Sequence, residues 1–508
     1  MPFLDATTNG DTASNPLPTV PLWIAGKAHN ADSSTSKQSI QPIISAASNK
    51  HIHNFVSATP AQATLACDSA ATTLQAWRQT TPAHRRNILL KVADEYERRL
   101  NEIAEMQTAE TSCPLEFAKW NIAVAAKYIR EIAAATAEIR GVVPQRDSDE
   151  SGVGKEGLTI VNMEPVGVVM VIPPWNGAVI LPTRALTMVL AAGCTVVLKS
   201  SEKCPMTHHL LVECYEKAGV PAGVINAIQV GREQAAEVTE AIISHKAVRK
   251  VDFIGSAGVG RMIGQLAAKY LKPVLMELGG KGPALILEDA NLEKAAKICA
   301  LGAILHHGQL CFSTERIIVL KGIADKFVPL LKAAFEEIPG AGTAVDTVSS
   351  KHAYDVLVDA KEHGAKFLVG GPEYIGEKDL KISLRPSLVT EIPKDARIRD
   401  EETFGPSASV YVADDEAEAV KLANDSAYGL NAAVHSSSWE RAFKVAKQLE
   451  YGQVLINQMT AGDAPGQPIR GVKGSGWGTS NSIWGIKEFL VEKTISFASA
   501  EGSKIAIA

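Results

Sequence analysis

The alternation of short apolar runs with helical stretches that begins at Val166 constrains this chain more than any other feature. Val166–Ile172 is a continuous apolar run closed by Pro173-Pro174, the pattern of a strand buried on both faces. Thr183–Ala192 reads as a helix, Thr195–Leu198 as a second strand, Thr207–Ala218 as a second helix, Val224–Val230 as a third strand and Val251–Ile254 as a fourth. Strands joined through helices lie parallel, and right-handed crossovers place the helices against the sheet. The expected class is α/β with a doubly wound, Rossmann-type sheet. A second alternating region runs through Pro283–Leu287, Arg316–Leu320, Ala408–Val412 and Val454–Ile456, with helices at Ile323–Glu337 and Ser438–Gln448. It predicts a second α/β domain.

Upstream, Thr81-Pro82 starts an amphipathic helix, Thr81 as cap and Pro82 in the first turn. Ile88, Leu89, Val92, Tyr96, Leu100 and Ile103 recur at helical spacing, with Arg85, Arg86, Glu97, Arg98 and Arg99 mostly off that stripe. A further helix is expected over Pro114–Ile139. Asp147–Glu156 is polar and glycine-bearing, the composition of a protruding hairpin or loop. Near the end, Thr494–Phe497 reads as an extended strand that can pair with another edge, including a partner subunit's. The first 18 residues, rich in Thr, Asn, Ser and Asp, read as a disordered arm.

Of the 508 residues, 46% are hydrophobic and 21% charged, with a net charge of −5, which argues against a polyanion partner; there is no basic tract to grip nucleic acid. The seven cysteines (67, 113, 194, 204, 214, 299 and 311) are odd in number and show no Cys-x-x-Cys or Cys/His ligand spacing. That usage suits free thiols in a reducing compartment, with neither a disulfide frame nor a metal site. The adjacent pair His306-His307 has no ligand spacing around it either. The N-terminus lacks the marks of a secretory or mitochondrial leader, and the final Ala-Ile-Ala is not a peroxisomal address. The most apolar long stretch, Ala178–Leu198, contains Pro182 and Arg184 and so reads as core rather than a membrane span. A cytoplasmic location is expected.

Two segments carry chemistry. Gly308-Gln309-Leu310-Cys311 offers a sulfur nucleophile, and Glu277-Leu278-Gly279-Gly280-Lys281 offers a carboxylate beside a glycine pair that lets backbone pass close to a ligand. A thiol and a carboxylate that meet can form an acyl intermediate and then hydrolyse it. Gly255-Ser256-Ala257-Gly258-Val259-Gly260 follows a strand and opens a helix, a place that attracts pyrophosphate. Each has a plainer alternative when taken singly. A cysteine is usually a small buried hydrophobe, an Asn after Pro-Trp a turn residue, and a Glu before Leu-Gly-Gly a turn flank.

Taken together with Pro174-Trp175-Asn176, Lys199-Ser200-Ser201-Glu202, Phe253-Ile254-Gly255-Ser256 and Glu402-Thr403-Phe404-Gly405-Pro406, these segments resemble the aldehyde dehydrogenase superfamily over nearly the whole chain after about residue 22. The resemblance implies that Cys311 is the nucleophile, that Asn176 donates an amide N–H to the oxyanion, and that Glu277 activates water to release the acid. It implies a dinucleotide held by Pro174, Trp175, Lys199, Glu202, Gly231, Gly255, Ser256, Glu402 and Phe404. Glu202 suits two ribose hydroxyls and repels a 2′-phosphate, which favours NAD over NADP. The implied partition is an arm over 1–20, an NAD-binding domain over 21–146 and 163–276, a catalytic domain over 277–470, and a bridging or oligomerisation element from 147–162 and 486–508. A homodimer or homotetramer is implied as well.

Val179–Arg184, Pro273–Glu277, Cys311–Arg316 and Gly471–Gly478 most resemble the benzaldehyde-oxidising branch, the salicylaldehyde and vanillin dehydrogenases. An aromatic aldehyde is therefore the expected substrate, with Arg184, Gly177, Leu310 and Ile469 around it. Arg184 has two readings: a tunnel residue that bonds a ring hydroxyl, or an ion pair between elements. Pro468-Ile469-Arg470-Gly471 departs from the family's Pro-Phe-Gly-Gly, and Thr479–Trp484 replaces a glycine- and basic-rich stretch. Three rivals stay open: transfer of the acyl group to coenzyme A, which Glu277 disfavours; an aliphatic or semialdehyde substrate; and a non-catalytic NAD-binding protein.

Overall fold

The computed structural model describes residues 17–31, 40–145, 158–338, 340–377 and 379–497. The Asp147–Glu156 segment lies outside these residues, as does most of the expected arm. Thr19–Val20, at the end of that arm, is a strand paired with Lys50–Val56, which corrects its boundary: Val20 is buried beside Phe55 and Met206.

An eight-stranded sheet has the order Gly476–Trp477, Val274–Glu277, Val248–Ile254, Val168–Ile172, Thr195–Ser200, Ile225–Gln229, Leu22–Ile24, Lys27–His29. The five strands between residues 168 and 277 are mutually parallel, and the outer pieces run antiparallel. The cause is visible in the side chains. Val169, Val171, Val196 and Leu198 pack into one core, and Val168, Met170 and Val197 into another on the opposite face. A strand buried on both faces must be apolar at every position, which is why these runs do not alternate.

A seven-stranded sheet follows the order Lys366–Val369, Ser387–Thr390, Ser407–Ala413, Thr314–Leu320, Gly282–Ile286, Asn431–His435, Gln453–Ile456. It is parallel apart from its Lys366–Val369 edge. Leu158–Pro165 and Leu490–Phe497 form a separate antiparallel ladder, paired from Pro165↔Leu490 to Leu158↔Phe497.

The amphipathic stripe that begins at Ile88 belongs to two helices, Pro82–Arg98 and Leu100–Thr111, and not to one. Arg99 leaves helical geometry between them and turns inward to bind Glu102 at 2.8 Å and Glu213 at 2.9 Å. Arg85 is buried, not off the stripe. Its guanidinium donates to the Ala191 carbonyl at 2.9 Å, satisfying the end of the Ile180–Ala192 helix.

Candidate active site

Val168–Ile172 and Val248–Ile254 are neighbours in the sheet although 75 residues of chain, including two other strands, intervene. This is the switch point of the doubly wound order, where the crevice at the strand carboxyl ends takes ligand. Pro174-Trp175-Asn176 leaves one strand there and Gly255-Ser256 leaves the other. The next strand ends on Glu277, in register with Ile254. Beyond it, the glycine pair allows contacts that no side chain would permit. A Cβ on Gly279 would run into the Glu402 carboxylate, and one on Gly280 would lie 2.7 Å from the Cys311 carbonyl oxygen.

The Cys311 segment reaches the same crevice through a left-handed turn, with φ of 52° at His306, 60° at His307 and 70° at Gly308. The His306 ring stacks on Phe117 with centroids 4.7 Å apart. Burial lowers the histidines to about 4 and about 3, so both imidazoles are neutral at physiological pH. Gln309 is fully buried and anchors the loop. Its amide donates to the His306 carbonyl at 3.1 Å and the Thr343 carbonyl at 3.3 Å, and accepts from the Val345 N–H at 3.0 Å. Asn176 Nδ2 donates to the Gln309 carbonyl at 3.0 Å. Gln309→Leu should therefore lower unfolding free energy by about 2–4 kcal/mol through stranded polar groups. A denaturant midpoint no lower than that of the parent protein would refute this anchor.

Cys311 Sγ lies 3.9 Å from Glu277 Oε1. Cys311 is half-buried, whereas the other six cysteines are buried. Burial raises its thiol well above the usual range; the Glu277 and Glu402 charges add to this, and Arg184 opposes it. The structure thus brings Cys311, Glu277 and Asn176 into one crevice. Arg184 follows the ion-pair reading. Its Nη2 donates to the buried Glu277 Oε2, and its Nη1 lies 3.7 Å from Oδ2 of the partly exposed Asp463.

Among the residues expected to hold a dinucleotide, Lys199 lies near the end of Thr195–Ser200, where burial lowers its ammonium and Glu202 opposes that. Ser256 Oγ accepts from the Val259 N–H at 3.4 Å and caps the Ala257–Lys269 helix. The Gly231 N–H donates to Ser57 Oγ at 3.0 Å, and Gln41 lies over its Cα. Glu402 accepts from the Gly280 N–H at 3.0 Å; burial first and Glu315 second push its carboxyl up to about 8. The Phe404 ring meets Trp175 edge-on at 5.9 Å, with Lys203 Nζ 4.8 Å over the Trp175 ring. Ile469 is buried and bridges Ser480, and Leu310 packs against the first core. Gly177 lies where a Cβ would come within 3.0 Å of Ile180 and Leu181. Arg470, the added charge of the departing motif, is exposed and donates to Thr479 Oγ1 at 3.4 Å.

Sequence reasoning missed four members of this site. Gln309 was legible only as part of a motif. Asp463 lies in a loop without pattern. Lys281 and Glu315 form a buried pair at 2.5 Å; both fell inside recognised segments, but nothing in the sequence paired them. Among the described residues no group of His, Cys, Asp or Glu is placed to hold a metal ion, and no helix is long and apolar enough to cross a membrane.

The profile of the aldehyde dehydrogenase family matches residues 32–495. Vanillin dehydrogenase of Pseudomonas fluorescens is 37% identical over 481 residues, 92% of this chain and 96% of that protein. Salicylaldehyde dehydrogenase of Pseudomonas sp. strain C18 is 35% identical over 479 residues, again 92% and 96%. The crystal structure of a salicylaldehyde dehydrogenase from Pseudomonas putida G7 complexed with salicylaldehyde superposes with a TM-score of 0.89 at 33% identity, covering 96% of this chain and 99% of that one. The chain belongs to the aldehyde dehydrogenase family and is an NAD(P)-dependent oxidoreductase that acts on an aldehyde.

Proposed function

We propose that the chain oxidises an aromatic, benzaldehyde-type aldehyde to its carboxylic acid with NAD as acceptor, through Cys311, Asn176 and Glu277. The observation that carries this reading is the 3.9 Å approach of Cys311 Sγ to Glu277 Oε1 at the switch point of the sheet. The Cys311 thiol gives its proton to Glu277, 3.9 Å away, which passes it to solvent; the thiolate bonds to the carbonyl carbon, and the oxygen becomes an oxyanion in a thiohemiacetal. Asn176 Nδ2 turns its N–H to that oxygen, a donor worth roughly 3–4 kcal/mol in the transition state. The dinucleotide, when bound, supplies the hydride acceptor, and the carbon is left as a thioester on Cys311. Water then adds under general-base help from Glu277 and the carbon–sulfur bond breaks.

The crevice suits such a dinucleotide. Gly255 and the exposed Ser256 open a helix at the strand end, which favours pyrophosphate. Lys199, Glu202 and Gly231 would line the adenosine side, with Glu202 selecting NAD over NADP. Glu402 would hold the nicotinamide ribose, with Phe404, Pro174 and Trp175 beside the ring. Gly177, Leu310 and Ile469 would shape the ring pocket. Contact of Arg184 with a ring hydroxyl would require it to loosen its grip on Glu277. The 21–146 and 163–276 segments serve the dinucleotide and 277–470 the chemistry. The ladder of Leu158–Pro165 and Leu490–Phe497 exposes Leu158, Val491 and Phe497 and suits a homodimer or homotetramer contact. The free thiols suit the cytoplasm. Purified protein given NAD and benzaldehydes should form reduced dinucleotide and free acid without coenzyme A. Turnover of short aliphatic aldehydes alone would overturn the substrate class, and no turnover with any aldehyde would overturn the mechanism.

A further inference from the structure

One guanidinium holds two carboxyl groups, and its charge acts on a third. Arg184, from the helix Ile180–Ala192, holds Glu277 through Nη2 and lies 3.7 Å from Asp463 through Nη1, and its charge favours the ionised form of Asp252 on the strand Val248–Ile254. Arg184 is 1% exposed, and neither its Nε nor Asp252 Oδ2 has a hydrogen-bond partner. This poses a chemical problem for the reading above. The Glu277 oxygen that accepts from the guanidinium must turn away from it before it can accept from water. Arg184 cannot follow solvent, because a buried cation left without a partner costs several kcal/mol.

We propose that Asp463 is a positioning residue for the hydrolytic half of the reaction: it takes over the Arg184 guanidinium when Glu277 turns to draw a proton from water. The inference rests on the proposed role of Glu277. At 3.7 Å the Arg184–Asp463 contact is an ion pair without a direct hydrogen bond, so a modest guanidinium shift converts one partner into the other. Asp463 is already oriented for this. Asn481 Nδ2 donates to its Oδ1 at 3.3 Å and to the Gln467 carbonyl at 2.9 Å, and Tyr128 faces it from the helix Leu115–Ala135. In the hydrolytic step, water oxygen bonds to the thioester carbon, one water proton passes to Glu277, and the carbon–sulfur bond breaks with sulfur leaving as thiolate. Arg184 keeps an anionic partner throughout, Asp463 replacing Glu277 as Glu277 takes up the proton.

The titratable groups facing Asp463 are Arg184, Tyr128 and Glu277. Burial pushes its carboxyl up to about 6 against the pull of Arg184. Above that pH it is an anion and can accept the guanidinium; below it, the neutral acid cannot. Asp252 is held up to about 7 by burial, and Lys250 and Glu488 face it together with Arg184 and Glu277. Only between about 6 and about 7 is Asp252 mainly neutral while Asp463 is mainly charged.

The test reads the acyl-enzyme directly, by intact-protein mass after rapid quenching during turnover of benzaldehyde with NAD. In Asp463→Asn the fraction of chains carrying the benzoyl group should rise, with acid release at least about tenfold slower and the first turnover of reduced dinucleotide retained. Asp463→Glu should restore release to within about threefold. In an Arg184→Gln background, adding Asp463→Asn should change release less than about twofold, because the exchange no longer exists. In the unaltered enzyme, acylated chains should accumulate as pH falls through about 6. This measurement holds even if a variant fails to fold. An acylated fraction constant from pH 8 to pH 5, or an equal loss from Asp463→Asn in both backgrounds, overturns the proposal. Unaltered protein that forms neither benzoylated chain nor reduced dinucleotide defeats the Glu277 and Cys311 reading instead.

Discussion

Cys311→Ala is expected to remove aldehyde oxidation, with kcat/KM falling at least about 10⁴-fold. The loss should be chemical and not structural. Cys311 is half-buried at the crevice, and its side chain meets Glu277 only at 3.9 Å, so deleting one sulfur should cost about 1 kcal/mol of stability or less. Dinucleotide binding should survive, because Glu402, Phe404 and the helix that opens at Ser256 are untouched. The remaining thiols cannot substitute. Burial pushes Cys67 and Cys299 up to about 12 and Cys194 and Cys214 up to about 11, and all four are enclosed. Steady-state assays beside a dinucleotide titration and a thermal melt would check the separation. A variant that keeps more than about a hundredth of the parent activity, or one that no longer binds dinucleotide, would sink the assignment.

How far this site could be read from residues alone depends on how each residue earns its place. Gly255 and Asn176 follow strands whose apolar runs are unmistakable, so those strand ends, and with them the crevice, were legible, whereas Glu277 was legible through its motif and not through the short strand it ends. Cys311 was legible through its motif. The Arg184 partners were not. Nothing local to Arg184 distinguishes a tunnel residue from an ion pair, because Glu277 lies 93 positions away and meets it only through sheet order. Arg85 was misread for a related reason: periodicity counts a guanidinium as polar, whereas here it fills the carbonyl end of another helix. The single helix expected through Ile103 failed because the break at Arg99 depends on Glu213, far along the chain. Gln309, with its three loop contacts, is part of a motif whose structural duty only coordinates reveal.

Lys281→Met tests the least legible of these contacts and should lower stability by about 3–5 kcal/mol. The Lys281 ammonium is enclosed and uses three donors: Glu315 at 2.5 Å, the Glu401 carbonyl at 2.7 Å and Thr403 Oγ1 at 3.0 Å. Glu315 in turn accepts the Thr403 N–H at 3.0 Å and the Phe404 N–H at 3.4 Å. Phe404 has a left-handed backbone with φ of 50°, which a phenylalanine adopts only under restraint. Methionine preserves the volume of the lysine stem but leaves Glu315 as a buried carboxylate without its cation. The strand pairing of Gly282 with Thr314 should persist, while the Glu402–Phe404 loop loses its clamp. Dinucleotide affinity should therefore fall more than aldehyde affinity. Replacing both partners, Lys281→Met with Glu315→Met, should recover most of the stability, because no buried charge remains. It should not recover dinucleotide affinity, since the Thr403 and Phe404 N–H groups then lose Glu315 as their acceptor. Urea unfolding of the three proteins, paired with dinucleotide titration, separates these effects. A Lys281→Met protein within about 1 kcal/mol of the parent, or a double variant that binds dinucleotide normally, would show that the pair is not what holds the Glu402 loop over the crevice.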